Sequence, residues 1–462
     1  MIYDGDFLEG LVKKALSRGG EYADIYIERR ETTSIMLEDD RIEKVITGLD
    51  AGIGIRLVSG GKTSYAYSND FSRDVLSDLA GTVASAASSP FRDIAVNMKT
   101  RRPDTVFAVK NPPGGVPMSS KILMVKTGNK ISRGFDKRIK QSTVTYRDSI
   151  QNVTVFTSEG LLTEEERVYT TAMVQVVAAD GDVVQTGYES AGGYIGFELL
   201  DGTVMEEISR AAARRAITAL KARRVPGGRM PVIISSEAGG TMIHEAIGHG
   251  LEADLAGRGL SVYAGKTGQM VASQKVTVVD DATLQGKRGS FSFDDEGTPS
   301  RRTVLVENGL LKGYMYDRLN AAENGVASTG NGRRESYECK PIPRMTNTLI
   351  VPGAADPEDV VRSVQRGLLV KKMGGGQVNT VTGDFVFEVQ EGYLIENGEP
   401  DMPVRGATLV GNGPEVLKSI DLVASDLGFS IGTCGKDGQG VPVSDAMPTI
   451  RIPEIVVGGE AA

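Results

Sequence analysis

The stretch at residues 241–250 contains both histidines of the 462-residue chain, His244 and His249, and Glu245 directly follows the first of them. Neutral imidazole is the commonest metal ligand in proteins, and a carboxylate beside a metal-bound water can act as a general base. Peptidases with the H-E-x-x-H signature hold their two histidines four residues apart on one helix face. This chain has one residue more between its histidines, and that extra residue constrains the local fold.

In a regular helix, residues i and i+5 lie about 140° apart around the axis. Two ligands so placed cannot share one metal unless the helix is locally widened or ends there. A π-type turn brings such residues nearly into line, and Gly248 and Gly250 lower the energetic cost of a distortion. The spacing therefore predicts a metal-binding helix that is irregular at its second histidine. The alternative is a helix end with two incidental histidines.

A catalytic zinc site normally has three protein ligands and an open position for water. The nearby acidic candidates for the third ligand are Glu252 and Asp254, and the distant candidates are Cys339 and Cys434. Cys434 is favoured because it lies in a glycine-dense segment, predicted to be a loop, where the backbone can approach an ion closely. Lys436 beside it would also favour the thiolate. Cys339 lacks that setting and is interpreted as a structural cysteine.

Composition excludes several classes of function. The formal net charge of −8 argues against general binding to nucleic acids or to anionic membranes. Two cysteines cannot form a disulfide framework. The N-terminus lacks the basic segment and apolar core of a signal peptide, and no apolar run is long enough to span a bilayer. We expect a cytoplasmic protein with no membrane and no nucleic-acid partner.

The hydrophobic periodicity predicts an α+β protein in three parts. Residues 1–102 form an N-terminal helix-sheet-helix module, with hairpin turns at residues 39–40 and 59–62. Residues 103–224 follow a Pro/Gly-rich linker and form a middle antiparallel sheet with helices. Residues 225–462 form a strand-rich C-terminal domain that carries the irregular metal-binding helix.

Several segments resemble the TldD/PmbA metallopeptidase family, whose members were once named modulators of DNA gyrase. The resemblance begins with the histidine motif and the distant cysteine segment, and it covers nearly the whole chain. The segments that carry it are residues 244–250, 434–439, 294–297, 330–337, 343–348, 374–378, 23–26 and 52–56. The intact H-E-x-x-x-H pattern is similar to the TldD-type branch, whereas the PmbA (TldE) type lacks it.

The resemblance implies one Zn²⁺ per catalytic subunit, held by His244, His249 and Cys434, with Glu245 as the base. It also implies a dimer, either of two copies or with a PmbA (TldE)-type subunit. The implied substrates are unfolded peptides or short modified peptides, such as a microcin precursor or an antitoxin.

The group that stabilises the oxyanion is not evident from the sequence. Arg333, Arg334 and Tyr337 are candidates for substrate binding because they lie in a polar segment flanked by glycines. A strand-rich domain could bind an extended peptide by adding it to a sheet edge. Two alternatives to a zinc metallopeptidase stay open: a non-catalytic regulatory or binding subunit, and a metal-dependent hydrolase that acts on substrates other than peptides.

Overall fold

The computed structural model describes residues 4–90 and 96–459, so the outer limits predicted for the first and last domains lie outside the described residues. The helices of these ranges are α1 (Gly5–Ala15), α2 (Arg73–Ala84), α3 (Met118–Gly134), α4 (Val204–Lys221), α5 (Thr241–Ile243), α6 (Ala253–Gly257), α7 (Arg318–Glu323), α8 (Pro357–Arg362) and α9 (Gly413–Ser419). No described helix combines the length and the apolar character needed to cross a membrane.

The N-terminal half of the chain forms a first sheet. Its strands are β1 (Tyr22–Glu38), β2 (Arg41–Ser59), β3 (Lys62–Ser68), β4 (Lys99–Thr100), β5 (Ile139–Thr157), β6 (Leu161–Asp180) and β7 (Val183–Tyr194). The predicted hairpin turn between β1 and β2 is confirmed, because Glu38 pairs with Arg41. Asp39 and Asp40 both have positive φ, at 45° and 69°, as a two-residue type I′ turn requires. The second predicted turn is also confirmed, since Ser59 pairs with Lys62.

The first two predicted domains contribute strands to the same sheet. The strand order is β3-β2-β1-β5-β6-β4, and β7 pairs with β6. Strand β1 therefore pairs with β5 along most of its length, from Asp24 opposite Thr157 to Glu38 opposite Thr143. The division between residues 102 and 103 stays a prediction about the chain, although the sheet is continuous across it.

The C-terminal half is rich in short strands. The first eight are β8 (Arg223–Arg224), β9 (Gly228–Ile234), β10 (Val278–Asp281), β11 (Arg302–Glu307), β12 (Leu310–Leu311), β13 (Gly332–Arg333), β14 (Ile342–Pro343) and β15 (Asn347–Ile350). The remainder are β16 (Arg366–Val378), β17 (Asp384–Glu396), β18 (Glu399–Arg405), β19 (Thr408–Asn412), β20 (Leu422–Val423), β21 (Gly428–Lys436), β22 (Gln439–Met447) and β23 (Ile450–Gly458).

These strands build two larger sheets around one core. The second sheet has the order β12-β11-β10-β15-β22-β21, so β21 lies at its edge. The third sheet has the order β16-β9-β23-β19-β17-β18-β8, and its path closes because β16 also pairs with β17. Ile243, Ile247 and Leu251 are fully buried in the core formed by these sheets. Their spacing of four residues directs one side of the histidine segment inward.

Candidate metal centre

The histidine segment changes its helical type where the extra residue lies. Strand β9 leads into a short 3-10 turn, in which the N–H of Glu237 donates to the Ser235 hydroxyl. Helix α5 follows, and residues His244–Gly248 then form a π-helical turn. The N–H of His249 donates to the carbonyl of His244, which is the i→i−5 bond that defines such a turn. The predicted irregularity at the second histidine is confirmed.

The reason for glycine at position 248 differs from the one that the sequence indicates. Gly248 has φ −54° and ψ −59°, an ordinary helical conformation that any residue adopts. A Cβ at this position would lie 2.2 Å from the Sδ atom of Met345. Glycine therefore permits close packing against Met345, and this position does not use its backbone freedom.

The imidazoles of His244 and His249 lie close to the thiol of Cys434, and we call these three residues the metal cluster. The Nε2 atom of His249 lies 3.5 Å from the Cys434 Sγ atom, and the ligand atoms of all three residues lie within 4.8 Å of one another. Tetrahedral zinc with its usual bond lengths to nitrogen and sulfur separates those two ligand atoms by about 3.6 Å. The donor set and its spacing thus fit a zinc ion. Cys434 is positioned by the edge strand β21, so the prediction that it lies in a loop was wrong.

The protonation of this cluster also suits a metal. Burial alone would raise the pKa of the Cys434 thiol, but hydrogen bonds and positive charge from His244 and His249 lower it to about 5. A thiolate, and not a thiol, is the form of cysteine that binds metals. A cavity of about 450 Å³ opens beside the cluster, and Glu245 lines it together with both histidines.

Glu252, one of the acidic candidates for the third ligand, acts on His249 instead. It is fully buried, and its Oε2 atom lies 3.0 Å from the His249 Nδ1 atom. Burial raises the pKa of Glu252, but the charges of His249 and Lys436 dominate and lower it to about 2. A carboxylate on the outer nitrogen fixes the ring, so that Nε2 faces the thiol of Cys434.

Asp254, the other acidic candidate, pairs with Lys436. The Lys436 Nζ atom lies 2.7 Å from Asp254 Oδ1 and 3.1 Å from Glu252 Oε2. Both acidic residues are therefore corrected from candidate ligands to partners of other groups. The ammonium group of Lys436, which the sequence placed near the thiolate, is engaged with these two carboxylates.

Sequence reasoning missed Asp445, which lines the same cavity from β22. Burial raises its pKa to about 6, against the positive charge of His244. The Asp-Gly pair at residues 437–438 is a strong hairpin signal. With Lys436 paired to Gln439, the register places Asp445 opposite Ser430, on the face that also carries Cys434. The turn at residues 437–438 could therefore have predicted that Asp445 lies on the same face as Cys434.

The structure does not bring Arg333, Arg334 or Tyr337 to the metal cluster. The guanidinium of Arg333 donates to the carbonyls of Met345 and Pro442. That of Arg334 donates to the Asp295 carbonyl at 3.0 Å. All three residues are buried. Their substrate-binding role stays a prediction, and none of them lines the cavity beside the histidines.

Tyr337 and the cysteine that follows it belong to a contact with the first sheet. The Tyr337 N–H donates to Glu28 at 2.9 Å, and its hydroxyl lies 3.2 Å from an Asp50 carboxylate oxygen. Cys339 is a free, partly buried thiol outside the metal cluster. Burial raises its pKa, as expected for a thiol that binds no metal.

Family models match three consecutive segments of the chain. They are the PmbA/TldA metallopeptidase domain 1 at residues 23–89, the central domain at residues 111–220 and the C-terminal domain at residues 227–459. The chain belongs to the PmbA/TldD metallopeptidase family. The resemblance that the motifs carry is thereby confirmed, and the C-terminal family domain contains the whole metal cluster.

Relatives from this family align along the full chain. A metalloprotease TldD homolog of Haemophilus influenzae is 38% identical and covers 96% of this chain and 94% of its own length. A zinc metalloprotease TldD homolog of Saccharolobus solfataricus is 28% identical over 97% of this chain and 99% of its own. TldE from Thermococcus kodakarensis has the same fold, with a TM-score of 0.79 at 21% identity over 98% of this chain and all of its own. The predicted α+β fold class and TldD-type affinity are confirmed.

Proposed function

We propose that this protein is a zinc-dependent metallopeptidase that hydrolyses unfolded or short peptides. The observation that carries the proposal is the convergence of His244, His249 and Cys434 beside an open cavity that Glu245 also lines. The names of the relatives from Haemophilus influenzae and Saccharolobus solfataricus support peptidase chemistry and zinc, respectively.

The three donors would hold one zinc ion, and Glu245 would act beside it. Bound zinc supplies Lewis acidity, which polarises a scissile carbonyl and makes a water molecule more acidic. Glu245 follows His244 directly and is half-buried on the cavity wall, so its carboxylate can reach both the cavity and water. We assign to it the transfer of a proton from the attacking water to the leaving amine.

The free edge of β21 gives a peptide a place to bind. The N–H of Gly440 points away from β21, since it donates to Glu335, and the carbonyl of Pro442 also points away and accepts from Arg333. The opposite residues Gly435 and Thr433 therefore direct their backbone groups toward the free edge. An extended peptide can pair there through main-chain hydrogen bonds. Such binding favours unfolded chains of many sequences.

A partner subunit forms part of the proposal, as a second copy or a PmbA (TldE)-type chain. The half of β2 that extends beyond β3 is exposed and carries three exposed apolar side chains, Val45, Ile46 and Leu49. Light scattering of the purified protein, alone and mixed with a PmbA-type chain from the same genome, tests this part. A monomer in both samples would contradict it.

The test of the catalytic role compares two matched glutamates. Glu245→Gln keeps the size of the side chain but removes the base, and Glu237→Gln is the control because Glu237 lies on the surface and pairs with Lys371. We expect both variants to retain one zinc per chain by elemental analysis. Peptide cleavage should fall by about 10²–10⁴-fold in Glu245→Gln alone. Equal cleavage by the two variants would refute the assignment of the base.

A further inference from the structure

A second cavity lies on the other side of strand β21. It has a volume of about 530 Å³ and is bounded by the first sheet and by β21 and β22. Residues 431–433 line both this cavity and the one beside the metal cluster. The two cavities are therefore separated only by the edge strand that carries Cys434.

The second cavity has a strong excess of positive charge. Its lining includes six arginines but only three carboxylates, those of Asp148, Asp295 and Glu335. The arginines are Arg30, Arg147, Arg167, Arg288, Arg333 and Arg334. We refer to this space as the arginine cavity. Asp148 offsets little of the charge, because its carboxylate pairs with Lys121 at 2.6 Å.

Three of the six arginines have a carboxylate of the protein within 4.0 Å. Arg30 pairs with Glu28 at 2.6 Å, and Arg167 pairs with Asp295 at 2.7 Å. Arg334 lies 3.7 Å from a carboxylate oxygen of Asp24. These ion pairs involve half of the arginines around the cavity, and two of them, Arg167–Asp295 and Arg334–Asp24, join the first sheet to the C-terminal domain.

The other three arginines have no carboxylate within 4.0 Å in residues 4–90 and 96–459: Arg147, Arg288 and Arg333. Arg288 donates through Nε to the carbonyl of Gly432 at 3.2 Å, and Arg333 donates only to carbonyls. Burial lowers the pKa of Arg288, and the nearby charge of Arg147 lowers it further. Burial also lowers the pKa of Arg333. A buried cation such as Arg333, kept beside other cations without an anion, is costly unless a ligand supplies one.

The geometry of β21 connects this charge to the metal cluster. Successive side chains of a strand point to opposite faces, so Cys434 faces the metal cavity while Thr433 faces the arginine cavity. A peptide paired with the free edge of β21 would direct alternate side chains toward the same two faces. Gly432, whose carbonyl holds Arg288, is two residues from Cys434, or about 7 Å along the strand.

We infer that the arginine cavity binds a carboxylate of the peptide substrate within a few residues of the cleaved bond. The carboxylate is either an acidic side chain or the C-terminus of the peptide, since both present the same planar anion to a guanidinium. This inference rests on the proposed peptidase function, because that function places the peptide on β21. It assigns to the enzyme a preference for acidic or C-terminal peptide segments.

Binding is measured separately from cleavage, so that the two proposals can fail separately. Three labelled octapeptides of one sequence are titrated into the Glu245→Gln chain and followed by fluorescence anisotropy. The first has a central Glu and an amidated C-terminus, the second has Gln at that position and the same amide, and the third has Gln and a free C-terminus. A charge-assisted contact should make the Kd of the first or third peptide lower than that of the second by about tenfold or more. The peptide that gains affinity identifies the source of the carboxylate.

Substitution of the arginines that have no carboxylate partner should abolish this difference in Kd between the peptides. Arg147→Gln is the principal variant, because Arg147 is exposed on β5 and its loss leaves no buried group unpaired. Arg288→Gln is the second, with a thermal melt to show that it folds. Arg366→Gln is the control, since Arg366 is 82% exposed in its pair with Glu396 and lies outside the cavity. We expect the ratio of Kd values to fall toward one in Arg147→Gln and to keep its wild-type value in the control.

Two results would overturn the inference. One is that the Glu245→Gln chain, with all six arginines in place, binds the three peptides with equal Kd. The other is a full carboxylate preference that survives in Arg147→Gln and in folded Arg288→Gln. Neither result would depend on whether the wild-type chain cleaves peptides, which the Glu245 comparison tests.

Discussion

The C-terminal domain contributes residues to two clusters of buried polar side chains. The clusters differ in whether their polar atoms face a shared centre or pair with one another. In the metal cluster, the donor atoms of His244, His249 and Cys434 point at a common centre, and a cavity opens beside them. We call the second the docking cluster. It consists of Asp24, Arg56, Arg167, Asp295 and Glu296, whose charged groups pair with groups of opposite sign. Arg56 of the first sheet lies 2.7 Å from Glu296 of the C-terminal domain, and both side chains are fully buried.

The docking cluster joins the two halves of the chain. Arg56 also donates through Nε to Asp24 at 2.7 Å. Arg167 of β6 reaches across in the same way, to Asp295 at 2.7 Å and to the Phe293 carbonyl at 2.7 Å. Each of these contacts joins a charged group of the protein to another group of the protein. Buried charge alone therefore does not locate a functional site. The metal cluster differs because its three potential metal ligands lie beside an open cavity.

The largest expected effect is loss of a metal donor. His249→Ala removes one of the three candidate metal ligands, so we expect the zinc content to fall well below one per chain. Cleavage should fall on the order of a thousandfold, because Lewis acidity is worth several kcal/mol to the transition state. Elemental analysis and a peptide assay measure both quantities. A variant that keeps full zinc and full cleavage would remove His249 from the site.

Loss of a cation from the docking cluster should act on stability instead. Arg56→Ala removes the cation that lies 2.7 Å from both Asp24 and Glu296. Because both carboxylates stay buried, the free energy of unfolding should fall by about 3–5 kcal/mol. Urea unfolding measures this change. The folded fraction should still bind one zinc per chain.

Arg362→Ala is the matched control for that experiment. Arg362 forms an exposed pair with Glu358, and such pairs contribute about 0–1 kcal/mol. If Arg56→Ala unfolds no more easily than this control, the docking cluster does not hold the two halves together.

A smaller effect is expected from the carboxylate behind the metal cluster. Glu252→Gln keeps an oxygen near His249 Nδ1 but removes the negative charge, so zinc affinity should weaken by about tenfold to a hundredfold. Competition with a fluorescent chelator measures the affinity, and Glu237→Gln serves again as the control. Unchanged affinity would mean that Glu252 belongs with the structural carboxylates of the docking cluster.

The smallest effect distinguishes a contact residue from a catalytic one. Tyr337→Phe removes the hydroxyl that lies 3.2 Å from Asp50, and the free energy of unfolding should fall by about 0.5–1.5 kcal/mol. Cleavage should stay at the wild-type rate. Loss of an oxyanion donor instead lowers kcat by about 10²–10³-fold. A fall of that size in Tyr337→Phe would show that Tyr337 acts in the active site.

The sequence was most informative where residue type and spacing decide the chemistry. The histidine spacing predicted the π turn, and the family resemblance and glycine-rich surroundings identified Cys434. The hairpin turns at residues 39–40 and 59–62 followed from local turn chemistry. For the π turn and the two hairpins, the deciding signal lies within a few residues of the feature.

Roles that depend on distant partners could not be predicted in this way. Arg333 and Tyr337 lie in a polar, glycine-flanked segment like that of a binding loop, but their partners come from other strands and are revealed only by the fold. Glu252 and Asp254 were equally plausible ligands by position. Their roles differ in the structure because Asp254 pairs with Lys436, whereas Glu252 contacts His249 Nδ1.

Zinc K-edge X-ray absorption of the purified protein reports the atoms bound to the metal, and so tests whether His244, His249 and Cys434 hold zinc. This ligand set predicts one zinc per chain with two imidazole nitrogens at about 2.0–2.1 Å and one sulfur at about 2.3 Å. The sulfur signal should disappear in Cys434→Ala and persist in Cys339→Ala. A first shell without sulfur in the wild-type protein, or one that loses its sulfur only in Cys339→Ala, would contradict it.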